Sequence, residues 1–387
     1  MTKASVAVIG AGVVGASVAY HLAARGWRDV VVLDRSGGPG QGSTGAATGG
    51  YRAQFTTAIN VRLSLLAREK MLRFREEIGA DPGYVPAGYL WLARGQGEMD
   101  ALAAAREVQH AAGLSESRAV DVDEIRLLSP HVRLDGVVGG AFCPTDGFIK
   151  PVAILEGYLR AAERLGARVM WGSQVVGLRS EDPGRITEVE TTRERISVDA
   201  VVNAAGAWAR PIAALAGVDI PVEPARTQVA VTPANDYLPA TMPMTIFVSD
   251  SFHFRARDRR VLLLMSSQWE PAHPYDVTVD PRWLDAVGRV ARERIPSLRE
   301  VPIDDPACWA GLYEKSPDRH AILGHAPGYA NFYLANGSSG HGVMHAPALG
   351  HLLAEIMSDG SATTVDAAPL RPTRFAEGDL NSRGELL

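Results

Sequence analysis

Residues 6–15 read VAVIGAGVVG and residues 30–34 read VVVLD. Val6, Ala7, Val8 and Ile9 form an apolar run with no polar alternation, as expected of a parallel strand buried on both faces. The run enters Gly10-Ala11-Gly12-Val13-Val14-Gly15 and then a helix-like stretch from Ala16 to Arg25. Val30 to Leu33 is a second such run, and it ends in Asp34. Together these make a complete dinucleotide fingerprint. Its glycines let the backbone approach a pyrophosphate at a helix N-terminus, and its acid receives a ribose hydroxyl.

Two later segments repeat the strand-to-glycine pattern. Residues 200–203 run into Ala204, Ala205 and Gly206, with a helical stretch from Trp208. Residues 331–335, NFYLA, run into NGSSGHG (336–342), after which Leu349, Leu352, Leu353 and Ile356 fall on one helical face. Ligands of open α/β sheets lie beyond the carboxyl ends of strands, so three such ends converge on one cofactor. A site begun by residue 10 and closed only after residue 336 fits a long cofactor, FAD, better than NAD. No second GxGxxG follows a strand, which argues against an additional NAD site.

The 387-residue chain is 46% apolar and 21% charged, the balance of an ordinary globular protein. Its net charge of −5 argues against nucleic acid as a partner. The first apolar run is too short for a signal peptide and no later run approaches a membrane span, so a cytoplasmic protein is expected. Cys143 and Cys308 make no disulfide framework, and no metal-binding cluster stands out. The stretch GSTGAATGGYRAQF (42–55) begins with nine small residues and then brings Tyr51 and Arg52 together. A loop kept that small lets something bulky lie against its backbone.

On these residues the chain resembles the FAD-dependent amino acid and amine oxidoreductases of the D-amino acid oxidase superfamily. Sarcosine oxidase, glycine oxidase and the catalytic subunit of dye-linked proline dehydrogenase look most similar. The matching motifs are GAGVVG (10–15), the 42–55 stretch, NAAGAW (203–208), GLYEKSPDRHAILG (311–324) and GSSGHGVMHAPALG (337–350). PLRPTRF (369–375) is similar to the family's C-terminal segment. The resemblance implies an α/β (α+β) fold with a Rossmann-like FAD-binding domain and a mixed antiparallel-sheet substrate domain. Residues 1–85, 145–215 and 325–387 are assigned to the first, and 86–144 and 216–324 to the second. Within these, residues 83–94 and 252–268 read as strands with turns, and 99–112 and 281–295 as helices.

The resemblance also implies a site. Gly10, Gly12 and Gly15, with Val13 and Val14, pack against the FAD pyrophosphate. Asp34 takes the adenosine ribose, and Arg35 lies beside the adenine. Most of the family has Glu at position 34, and the shorter acid can still accept the hydroxyl bonds. Val175 or Val176 offers backbone contacts to the adenine, and Ala204, Ala205, Gly206 and Trp208 join the cofactor site. Ser43 and Thr44 bond phosphate oxygens, while Thr48, Gly49 and Gly50 pass beneath the isoalloxazine ring, with Gly311 nearby. Ser339, Gly340, His341, Gly342, Val343 and Met344 open a helix whose free N–H groups stabilise negative charge on the reduced flavin.

Arg52 follows the loop under the ring, where a planar cation suits a bidentate grip on a substrate carboxylate. Tyr313 and His253 fall at active-site positions of the family, and His341 can add a hydrogen bond. Three departures shape the expectation. Gly311 stands where sarcosine oxidase attaches its flavin through cysteine, and Cys308 is three residues away, so FAD is expected to be noncovalent. Met344 replaces a carboxylate-gripping lysine. No lysine in VLLLMSSQ (261–268) matches the oxygen-activating one, which leaves oxygen or an electron carrier as acceptor. The expected reaction is oxidation of a C–N bond in a sarcosine-, glycine- or proline-like amino acid to an imine, with the chemistry carried by the flavin. Oxidation of a 2-hydroxy acid, or a role as the catalytic or electron-transfer subunit of a larger complex with partner subunits, are the alternatives.

Overall fold

In the computed structural model, which describes residues 2–180 and 184–381, the run at residues 6–9 lies inside an eight-stranded sheet. Strand Thr2–Ile9 pairs in parallel with Val30–Leu33 on one side and with Arg195–Asn203 on the other. Arg168–Met170 and Phe332–Asn336 extend the parallel set, and Ile322–His325 adds an antiparallel edge. Val6 and Val8 join Val30, Val32 and Val202 in one core, while Ala7 and Ile9 join Val31, Leu33 and Val201 in another. Both faces are therefore apolar, and the sequence shows no alternation.

Helix Val13–Ala24 leads to Val30–Leu33 on one side of the first strand, whereas Arg195–Asn203 joins the other side. A crevice opens beyond the carboxyl ends of strands at such a reversal. The three strand-to-glycine junctions stand side by side at this point: Ile9 is opposite Asn203, and Asn203 is opposite Leu334. The last long helix, Gly342–Asp359, crosses the first helix at Gly350. A Cβ at Gly350 would lie 2.6 Å from the Ser17 carbonyl carbon, so only glycine permits this approach.

The second eight-stranded sheet runs in the order Trp309–Lys315, Glu223–Val231, Arg260–Leu264, His253–Arg257, Met244–Phe247, Tyr89–Ala93, Gly139–Cys143, Arg118–Val120. Its neighbours are antiparallel except Met244–Phe247 against Tyr89–Ala93. Asp258 and Arg259 both adopt positive φ, 52° and 60°, and so close the tight hairpin between His253–Arg257 and Arg260–Leu264. Leu90 and Leu92 pack with Trp283 of helix Pro281–Arg294, while Tyr89, Trp91 and Ala93 pack with Leu102 of helix Gln96–Ala111. One strand thus binds a helix layer on each face. The first sheet draws its strands from residues 2–33, 168–203 and 322–336, so strand Ile322–His325 starts ahead of the boundary at 325. A two-stranded ribbon, Gly50–Tyr51 with Gly147–Phe148, fixes where the chain delivers Arg52.

Candidate active site

A cavity of about 1120 Å³ lies where the two sheets meet. All the residues expected from the sequence to touch cofactor or substrate line it, with the exception of Gly15. A Cβ at Gly15 would come within 1.9 Å of the Gly10 oxygen, so this glycine seats the first helical turn on the loop instead. Gly10 adopts φ of +106°, and a Cβ there would lie 2.4 Å from the Ala204 oxygen. The first two strand-to-glycine junctions therefore touch through bare backbone. Gly12 starts helix Val13–Ala24 with no side-chain cap, leaving a helix N-terminus against the cavity.

Asp34 does more than its position at a strand end implied. Its carboxylate accepts the Ala11 N–H at 2.7 Å and the Ser36 N–H at 2.8 Å, so it locks the glycine loop while lining the cavity. Asp34→Ala is expected to weaken FAD binding by about 1–3 kcal/mol, the loss of charged hydrogen bonds. Fluorescence titration of apoprotein with FAD measures this, and an unchanged dissociation constant would confine Asp34 to the loop. The Arg35 guanidinium sits 3.8 Å over the Trp208 ring, which stacks on Tyr275 at 5.4 Å, giving this end of the cavity a flat wall.

Ser43 and Thr44, expected to bond phosphate, line the cavity and also serve the protein. Ser43 donates to the Leu312 oxygen at 2.7 Å, while Thr44 Oγ1 accepts the Val13 N–H at 3.1 Å and keeps its own O–H as a donor. Further along, the small-residue loop is pinned from the second sheet. Trp309 donates to the Ala46 oxygen at 2.8 Å, and Arg255 donates to the Thr48 and Gly49 oxygens at 3.0 and 3.1 Å. The sequence reading missed this clamp. Its signal was present in FHFRAR, where period-two spacing puts His253, Arg255 and Arg257 on one strand face. Tyr89 was missed as well: it lines the cavity, and a Cβ at Gly50 would lie 2.0 Å from its hydroxyl.

At the far end Arg52 is 5% exposed and lines the cavity. It donates to the Gln54 oxygen at 2.9 Å and to His341 Nε2 at 3.3 Å, and lies 4.2 Å over the Phe55 ring. No acidic side chain pairs with it among the described residues. Asp146, the acid in its neighbourhood, spends its two oxygens on the Ala53 N–H at 2.7 Å and the Gln54 amide at 3.1 Å. Burial still raises the Asp146 carboxyl to about 6.

The histidines around Arg52 stay neutral. Burial and then the Arg52 charge hold His341 well below its ordinary value, and burial lowers His253 to about 4. Since Arg52 can only donate, His341 Nε2 is the acceptor and its proton belongs on Nδ1. Tyr313 lines the cavity from strand Trp309–Lys315, its ring close against Gly340. Helix Gly342–Asp359 starts at the cavity with no side-chain cap, so Gly342, Val343 and Met344 present a second helix N-terminus. Neither cysteine lines the cavity: Cys308 bonds the Val231 N–H and the Asp304 oxygen, and Cys143 is buried elsewhere. Among the described residues no cluster of His, Cys, Asp or Glu could hold a metal ion, and no helix is long and apolar enough to cross a membrane.

Comparison with known proteins agrees with this geometry. The model of the DAO family, described as FAD dependent oxidoreductase, matches residues 5–356. FAD-dependent oxidoreductase domain-containing protein 1 of Xenopus laevis is 27% identical over 416 residues, covering 96% of this chain and 83% of that protein. Mitochondrial dimethylglycine dehydrogenase of Mus musculus is 28% identical over 397 residues, which cover 97% of this chain and 44% of that protein. Among solved structures, L-proline dehydrogenase from P. horikoshii superposes with a TM-score of 0.90 at 29% identity, covering 98% of this chain and 100% of that one.

Proposed function

Because the chain belongs to the DAO family of FAD-dependent oxidoreductases, we propose that it oxidises the C–N bond of an amino acid or N-alkyl amino acid to an imine, which water then hydrolyses. Arg52 is the observation that carries this reading. A buried guanidinium without an acidic partner is costly unless an anion completes it, and this one faces a cavity. A substrate carboxylate is such an anion. The names of two similar proteins, L-proline dehydrogenase and dimethylglycine dehydrogenase, support a substrate whose nitrogen carries alkyl groups.

Bound FAD supplies the two-electron acceptor for the carbon-bound hydrogen of the substrate. The bare backbone at Gly10 and Ala204 and the helix end at Gly12 suit its pyrophosphate, Asp34 its ribose, and residues 46–50 its ring. Arg52 orients the substrate through its carboxylate. Its positive charge and the neutral His253 and His341 disfavour an ammonium nearby, so the nitrogen is held as the free amine with its lone pair available. The uncapped end of helix Gly342–Asp359 stabilises negative charge arriving at the cavity.

For an acyclic substrate, ammonia or an alkylamine is expected in equal amount to the dye reduced, because imine hydrolysis cleaves the C–N bond. Dye reduction by a 2-hydroxy acid, with no amine substrate active, would contradict the proposal. FAD is held without a covalent bond, since Gly311 and not a cysteine faces the loop, where its Cβ would lie 2.7 Å from that of Ala46. Acid precipitation is expected to leave the yellow colour in the supernatant. Colour retained in the pellet refutes this.

A further inference from the structure

Beneath the second helix end lies an acid that the reaction above does not use. Glu314 lines the cavity on strand Trp309–Lys315, and its Oε1 accepts the Ser338 N–H at 3.2 Å. Its main-chain oxygen accepts the Ser339 N–H at 3.0 Å. A Cβ built on Gly342, the first residue of helix Gly342–Asp359, would lie 4.0 Å from that Oε1 and 3.6 Å from Ser338 Oγ. The other carboxyl oxygen, Oε2, and both side-chain polar atoms of Asn336 are buried with no partner at hydrogen-bonding geometry among the described residues, and the Ser338 hydroxyl lies beside the carboxyl. Ser338 is 2% exposed and Asn336 fully buried, so this polar set belongs to the interior of the fold.

We propose that Glu314 sets the electrostatic potential at the N-terminal end of helix Gly342–Asp359, and thereby tunes the reduction potential of FAD in the cavity which that end lines. Two-electron reduction of FAD with uptake of one proton adds one negative charge to the ring. A helix N-terminus favours that charge. An ionised Glu314 competes for the same positive potential and disfavours it, whereas a neutral Glu314 leaves the helix end free. Burial raises this carboxyl to about 7, so both states are accessible near neutral pH.

The groups around it do not blur the effect. Burial holds His341 and His345 well below their ordinary values and lowers His320 in the same direction, and it lowers Arg52 and Lys315 from ordinary values far above neutrality. Asp146, raised to about 6, contributes equally with and without Glu314 and cancels in a comparison.

The test is the FAD midpoint potential, measured anaerobically against reference dyes in the wild-type holoenzyme and in Glu314→Gln between pH 6 and pH 8. At pH 8 the variant is expected to show a reduction equilibrium about tenfold more favourable, about 30 mV for a two-electron couple. The difference should shrink toward pH 6, where both side chains are neutral. A purely structural Glu314 leaves the two potentials equal at pH 8, and that result overturns the proposal. If that variant does not retain FAD, Glu314→Asp decides, since it draws the carboxyl back from the helix end: a higher potential than wild type at pH 8 supports the proposal, and an equal one overturns it.

Discussion

Replacing Arg52 with methionine is expected to remove affinity for carboxylate ligands while leaving the protein at least as stable. Losing a charged hydrogen-bonding partner in a dry pocket costs about 2–5 kcal/mol of binding, roughly thirty-fold to a few thousand-fold in dissociation constant. The stability sign is the informative half. Arg52 is 5% exposed and pairs with no acid among the described residues, so its burial is a cost to the empty protein. A structural arginine behaves in the opposite way: its removal strands a partner and lowers the unfolding midpoint. Titrating unreactive carboxylates against the flavin absorbance, beside thermal melts of the apoprotein, separates the two. Equal ligand affinity with a lowered melting point would return Arg52 to a structural role. Arg52→Lys should recover only part of the affinity, because an ammonium lacks the planar fork.

The second large effect belongs to a true structural pair. Arg374 and Asp318 are both fully buried, with Nε to Oδ2 at 2.8 Å and a terminal nitrogen to Oδ1 at 2.9 Å. Arg374 also donates to the Leu370 and His320 oxygens, and Asp318 accepts from both nitrogens of Asn381. Arg374→Met is expected to cost about 3–5 kcal/mol, because it leaves a buried carboxylate unpaired. Urea unfolding followed by circular dichroism measures it, and an unchanged midpoint would contradict it. Although burial acts against ionisation, the bonds and charge of Arg374 hold the Asp318 carboxyl well below its ordinary value. A depressed folded value means the contribution is complete above the unfolded value of about 3.9 and fades as pH falls through the folded one. The gap between wild type and variant should therefore persist at pH 5 and close only in stronger acid.

This pair also shows what a motif can hide. GLYEKSPDRHAILG reads from the sequence as an active-site segment, and Tyr313 does line the cavity. Its second half serves another purpose: Asp318 anchors the tail, and His320 bonds Thr57 at the start of helix Ala58–Leu72. Such partners are 56 and 263 residues away, and no local pattern reports them. The parallel sheet was legible because burial on both faces leaves an unbroken apolar run at residues 6–9 and 30–33. The convergence of three glycine junctions was legible for a related reason, since strand ends in one sheet share an edge.

The roles of individual polar side chains were less legible. Ser43 and Thr44 have the chemistry to meet a phosphate, and only the fold shows Leu312 and Val13 as their partners. Gly15 follows the same rule, because spacing marks it as part of the fingerprint but cannot tell a ligand contact from helix packing. Arg255 holds the loop through the Thr48 and Gly49 oxygens, partners more than 200 residues away that its own strand does not report.

The most direct test of the whole account is anaerobic reduction of the bound flavin by three matched compounds: an N-alkyl amino acid, the same amine without its carboxylate, and the corresponding 2-hydroxy acid. Bleaching of the flavin absorbance by the first alone, lost in Arg52→Met, is the result this account predicts. Bleaching by the hydroxy acid alone, or equal bleaching by the amine with and without its carboxylate, would contradict it.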